Sequence, residues 1–181
     1  MAAAQSRVTD MTRGDPVRLL LKFSAPLFLS NLLQQFYNLA DTALAGHILG
    51  DAALAEIGAT AALYGLIMNF AFGMNNGLAL TVSRAFGAGD EKGVRRATAW
   101  MLTLAGVTAL VLTVVFVGVR RPLLVLLQVP QASMDGALAY LTLILLGIPL
   151  TMAYNMEAAL LRAIGNSLTP LYFLLCSTAL N

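Results

Sequence analysis

Charge is scarce in this sequence. Asp, Glu, Lys and Arg make up 11% of its 181 residues, while 59% are hydrophobic and the mean hydropathy is +0.78. Soluble domains carry roughly 25% charged residues, so this shortage excludes an ordinary water-soluble domain. The single cysteine, Cys176, excludes a disulfide within the chain and reads as a small packing residue of the last apolar run. The single histidine, His47, lies beside Gly46 and Gly50 with no second ligand nearby. It reads as a solvated loop residue, and no metal site is expected. Gly87 to Gly89 lacks the Lys and Ser/Thr of a nucleotide-cradling loop, so direct use of ATP is not supported. No nucleophile and base pair suggests an enzyme, and no cofactor is expected.

What the chain does have is five long uncharged or nearly uncharged runs: Phe23 to Ala40, Ile57 to Ser83, Ala97 to Val119, Gly136 to Met156 and Ala163 to Asn181. Each matches the ~20 residues needed to cross a bilayer core. Backbone groups in lipid must bond within their own segment, and no alternating strand pattern of about ten residues is present. The fold class expected is therefore all-α, a polytopic transmembrane helical bundle. Residues 1–16 form a short amino-terminal segment and 17–181 the membrane part. The first run is too long and too polar within (Asn31, Gln34, Asp41 at its end) for a cleaved signal peptide.

The basic residues are divided unequally between alternate loops. Arg7, Arg13, Arg18, Lys22, Arg84, Lys92, Arg95, Arg96 and Arg162 fall on one side, and only Arg120 and Arg121 on the other. Nine against two predicts a cytoplasmic amino terminus. The Arg95, Arg96 pair reads as a topology signal in contact with anionic membrane lipid, and nucleic acid is not expected as a partner.

The first run is interrupted by Asn31, Gln34, Gln35, Asn38, Asp41 and Thr42. Steps of three and four place these on one helical face, opposite Leu32, Phe36, Leu39 and Ala43. Facing lipid, such a stripe would cost several kcal/mol in unsatisfied groups, so it must face other helices or a wet cavity. Interhelical hydrogen bonding is one reading. Six polar residues that include a carboxylate favour the other, the lining of a pathway. Asp41 lies roughly 27 Å along the helix from Phe23 at ~1.5 Å per residue, near the outer side. Desolvation raises a carboxylate's pKa and nearby donors or cations favour its charged form. A carboxylate whose surroundings alternate between wet and dry can therefore load and release a proton or sodium ion.

Pro26, Gly65, Gly73, Gly77, and Gly147 with Pro149 mark places where helices can bend. Asn69, Asn75 and Asn76 in the second run, and Thr151, Tyr154 and Asn155 in the fourth, add cavity-lining polarity. Glu157 reads as a solvated or locally paired carboxylate.

The run PLFLSNLLQQFYNLADTALAGHILGDAALAEIGAT, residues 26 to 60, resembles the first helix and following loop of the multidrug and toxic compound extrusion family, especially its bacterial branches. SRAFGAGDEKGVRRA at 83 to 97, PLLVLLQVP at 122 to 130 leading to AYL at 139 to 141, and LRAIGNSLTPLY at 161 to 172 agree in order. The resemblance implies a fold of about twelve helices in two six-helix lobes, of which this chain carries about five helices of the first. It implies a secondary antiporter in a bacterial plasma membrane, exporting organic cations, drugs and other small amphiphiles in exchange for protons or sodium. Asp41 matches the family's first-helix acid, Asn155 a polar member of the same cation site, and Asn181 the fifth-helix Asn whose companion acid usually follows one turn later. With Asn38 these form the implied cation-coupling set; Asn31, Gln34, Gln35, Thr42, Asn69 and Tyr154 line the cavity. The sequence stops before that companion acid, the sixth helix and the second lobe, so it reads as a fragment that a second lobe or a second copy would complete. Two other readings are weighed: a flippase for lipid-linked sugars from the wider superfamily, disfavoured because no cation falls inside the five runs, and a non-transporting membrane subunit.

Overall fold

The structure, a computed structural model, describes residues 14–180, apart from the side chains of 45, 49, 51–56, 59 and 179–180. Arg7, Arg13, Asn181 and most of the 1–16 segment lie outside the described residues. Among the described residues every regular element is helical: α1 (Pro16–Gly87), α2 (Glu91–Leu126), a short 3-10 turn (Gln131–Ser133), α3 (Met134–Leu146), α4 (Ile148–Ala163) and α5 (Leu168–Leu180).

Among the described residues the first four apolar runs become helix and the fifth does so from Leu168, with two differences in where the chain bends. The first two runs belong to one element, α1, which leaves helical geometry only at Gly50 (φ 82°, ψ −179°). That backbone region is open to glycine alone, so the segment expected as a loop is helical on both sides of one residue. His47 accordingly stands on a helix, exposed, and not in a loop. The fourth run instead splits at Gly147, where the pair Gln131–Leu146 and Ile148–Ala163 bends by 42°. Pro149 has no N–H to donate back into the preceding turn, which is why the bend falls beside it.

The helix ends are closed mostly by backbone. At the end of α1, Gly89 (φ 69°) donates to the carbonyl of Phe86 and Asp90 to that of Ala85. At the end of α4, Gly165 (φ 82°) donates to Arg162 and Asn166 to Leu161. At the end of α2, Gln128 (φ 57°) donates to Val125 and Val129 to Leu124. All three are Schellman closures, which satisfy carbonyls left over at a helix C-terminus. After the first and second of these, the next residue's side chain starts the following helix. Asp90 accepts from the Gly93 amide at 2.9 Å, and a Cβ on Gly93 would lie 2.2 Å from the Asp90 carboxylate. Asn166 accepts from the Thr169 amide at 3.1 Å and donates to the Thr169 hydroxyl at 2.8 Å. The pieces GAGDEKG and AIGNSLT are thus stop-and-start signals for consecutive helices.

The described residues group into two compact units. The first comprises residues 14–40, 76–101 and 157–180 and buries Ala79, Val82, Met101, Ala158, Ala159, Leu171 and Leu174. Within it the Arg162 guanidinium reaches the Asn76 side-chain oxygen at 3.5 Å. The second comprises residues 41–75 and 102–156; its core runs through Ile67 and Ala71 of α1, Ala109 and Leu124 of α2, and Ala137, Leu141 and Leu145 of α3.

Along α2 the buried stripe is Met101, Ala105 and Ala109, while Leu102, Leu104, Val107, Leu110, Val111, Val114 and Val115 are exposed. Between residues 102 and 115 the small residues Ala105 and Ala109 face protein and the large apolar ones face out, the pattern expected where lipid is the solvent. Glu91–Leu126 is also long and apolar enough to cross a bilayer by itself, and the bent pair passes the same test as one span.

Two stability outcomes follow. Leu141 is fully buried and Leu143 is 71% exposed on the same helix. Leu141→Ala should cost about 2 kcal/mol, the low end for a core truncation because lipid and not water competes for the side chain, and Leu143→Ala almost nothing. Gln128→Gly should stabilise by up to ~1 kcal/mol, since it relieves a left-handed conformation without removing a bond. Thermal unfolding of the purified variants in detergent reads all three.

Candidate cation-coupling site

The polar stripe lies on the first limb of α1, residues 16–49. Asn31, Gln35, Asn38 and Thr42 are exposed, and Gln34 and Asp41 half-buried. Gln34 and Asn38, one turn apart, share a long hydrogen bond of 3.4 Å in which the Gln34 amide donates. Within the first unit Asn31, Gln35 and Asn38 thus present an exposed polar face. The large side chains on the opposite face, Leu32, Phe36 and Leu39, are exposed too.

Within the second unit Asp41 has neighbours that the sequence reading did not single out. Tyr140 on α3 lies within electrostatic range of both Asp41 and Tyr64, the latter on the second limb of α1, residues 51–87. A phenol can donate to a carboxylate or accept from its protonated form, so such a group serves both charge states of Asp41. Phenol and carboxylate oxygens also suit a hard monovalent cation better than nitrogen or sulfur would. The only sequence signal was that Tyr140 and Thr142 interrupt the apolar stretch between Gly136 and Gly147, within the AYL piece.

The other expected members are spread out. Asn155 on α4 is half-buried and donates to the carbonyl of Thr151 at 2.9 Å, one turn back on its own helix. Tyr154 beside it is exposed. Asn69 is exposed and donates to the Gly65 carbonyl at 2.8 Å. Asn75 is fully buried, and its amide finds no hydrogen-bond partner among the described residues. Asn181 lies outside them. Glu157 is exposed, as a solvated carboxylate would be. Of the expected set, Asp41 lies within electrostatic range of a tyrosine on another helix, Tyr140.

Comparison with known proteins bears on the family and the fold. The MatE family model matches residues 26–181. The probable multidrug resistance protein YpnP of Bacillus subtilis is 31% identical over 173 residues, covering 95% of this chain and 39% of the relative. YoeA of the same organism, also named a probable multidrug resistance protein, is 28% identical over 183 residues, covering 100% and 40%. The chain thus spans about two fifths of the length of these curated relatives. Among solved structures, a MATE transporter in its bent conformation superimposes with a TM-score of 0.83 at 22% identity, covering 92% of this chain and 37% of that one. A MOP superfamily transporter from Pyrococcus furiosus does so with 0.85 at 23%, over the same shares. These likenesses establish the helical-bundle fold, and the family model covers all but the first 25 residues. The chain belongs to the MatE family of membrane transporters.

Proposed function

We propose that this chain supplies the cation-coupled lobe of a secondary antiporter that exports organic cations, drugs and similar small amphiphiles against an inward flow of protons or sodium ions. Asp41 carries the reading: a half-buried carboxylate in an apolar helix, within electrostatic range of Tyr140 and at helical spacing in the sequence from Asn31, Gln34, Gln35, Asn38 and Thr42. An intramembrane acid is costly to keep and is retained where ions or protons pass. The names of YpnP and YoeA as probable multidrug resistance proteins support drugs as the cargo.

Loading a cation on Asp41 removes its charge or pairs it, which changes what the polar face can tolerate around it. A lobe whose two arrangements differ in that tolerance is biased by loading, and substrate leaves from the other arrangement. Asn38, Asn155 and Asn181 are the proposed helpers, and Asn69 and Tyr154 the proposed cavity lining. The exposed stripe supports a second lobe, or a second copy, as the surface that closes the cavity. The nine-to-two division of basic residues supports a plasma-membrane protein with a cytoplasmic amino terminus.

The test uses native-host membrane vesicles holding the protein with whatever it assembles with, and a fluorescent organic cation. Asp41→Asn should cut gradient-driven efflux at least about tenfold while membrane levels stay unchanged. Tyr140→Phe, which removes one hydroxyl, should cut it by roughly two- to tenfold, the worth of one hydrogen bond. Undiminished efflux in Asp41→Asn would overturn the coupling role. No wild-type flux under either a proton or a sodium gradient, with a second protein crosslinked to the chain, would favour a non-transporting subunit.

A further inference from the structure

The two basic residues on the sparsely charged side of the membrane are more than leftovers of the topology rule. Arg120 and Arg121 sit inside α2 and are followed by Pro122 and a further apolar stretch, Leu123 to Leu127. The apolar run before them, residues 97–119, is long enough at ~1.5 Å per residue to cover about 34 Å, slightly more than a hydrocarbon core. The pair therefore stands at headgroup depth, where guanidinium groups keep their charge at any physiological pH.

With Gly118 on α2 and Leu138, Ala139 and Thr142 on α3, the two arginines line an open cleft of about 580 Å³. Arg120 is half-buried and donates once, to the carbonyl of Val117, which leaves most of its donors unused. Among the described residues neither arginine is ion-paired, and Asp135, one turn before Leu138 and Ala139 on α3, lies beyond salt-bridge distance of both. Two further groups in the cleft are acceptors. Pro122 has no N–H, so the Gly118 carbonyl loses its helical donor. Thr142 spends its hydroxyl hydrogen on the Leu138 carbonyl at 2.6 Å and keeps its oxygen lone pairs. Exposed apolar side chains continue along both helices away from the arginines, Val114 and Val115 on α2 and Leu143 and Leu146 on α3.

We propose that this cleft is a binding site for an anionic phospholipid with a hydroxylated headgroup. Its phosphodiester meets the Arg120 and Arg121 guanidinium groups, its headgroup hydroxyls face the Gly118 carbonyl and Thr142 oxygen, and its acyl chains follow the exposed apolar faces. Guanidinium forks match phosphate oxygens in pairs, a geometry that a lysine ammonium lacks. A zwitterionic headgroup would bring an ammonium to a cleft that already holds two cations. The site is separate from the coupling proposal, since none of its residues belongs to that set.

Native mass spectrometry of the full chain, released from nanodiscs of stated composition, provides the test. Phosphatidylglycerol should remain bound at activation energies that strip phosphatidylethanolamine, and the retained fraction should fall about tenfold in R120Q/R121Q. R120K/R121K should fall between the two. Millimolar inorganic phosphate should leave the lipid adduct in place. Should the double Gln variant not fold, Ala139→Trp, which fills the cleft and keeps both charges, should lose the adduct instead. Equal retention of both lipids, displacement by free phosphate, or an adduct that survives both cleft variants would each overturn the proposal.

Discussion

A carbonyl oxygen that loses its helical partner in or beside a bilayer has no water to turn to, and this one constraint organises the chain from Asp15 to Leu180. Each helix end is closed with backbone donors at Gly89, Gln128 and Gly165, and the following helices begin on Asp90 and Asn166 side chains. The same economy governs side chains inside the spans. Ser30 donates to Pro26, Asn69 to Gly65, Thr142 to Leu138, Thr151 to Gly147 and Thr178 to Leu174, each returning a hydrogen bond to a carbonyl four residues earlier. Polar groups tied up in this way cost little in lipid and carry no recognition. The face from Asn31 to Thr42, with its carboxylate Asp41, is where the proposed chemistry with ions would take place.

The bend at Gly147 shows the constraint at its most local. Pro149 cannot donate, the Gly147 amide turns back to the Leu143 and Ile144 carbonyls, and the Thr151 amide and hydroxyl both bond to the Gly147 carbonyl. The fourth span is thereby kept as two short helices with the Leu143, Ile144 and Gly147 carbonyls all addressed at the bend.

Much of this was legible in the sequence, and the reasons are physical. Apolar length alone sets the number of membrane segments, because bilayer thickness fixes it. Gly147 with Pro149 marked the bend, since proline's missing donor acts locally. The first loop was misread because the residues between Ala40 and Ile57 include Asp41, His47 and Asp51, and polarity was taken for a break; only Gly50 leaves helical geometry. Tyr140 was overlooked as a neighbour of Asp41 because helical periodicity describes one helix at a time and cannot say which faces meet. Arg120 and Arg121 were read for the side of the membrane they mark, a property of composition, while the cleft they line depends on Leu138 and Thr142, some twenty positions later.

The turn between Gly87 and Glu91 leaves only three residues between two long helices. A connection so short ties their biogenesis together. The stretch around Asn69, Asn75 and Asn76 would be a poor candidate for the translocon alone, since each carboxamide raises the cost of partitioning into lipid. The segment that follows it, residues 97–119, is among the most apolar in the chain, and with no slack between them the two must enter as a hairpin. The strongly inserting member carries the weak one, and that is what permits three asparagines in a membrane helix without loss of its place in the bilayer.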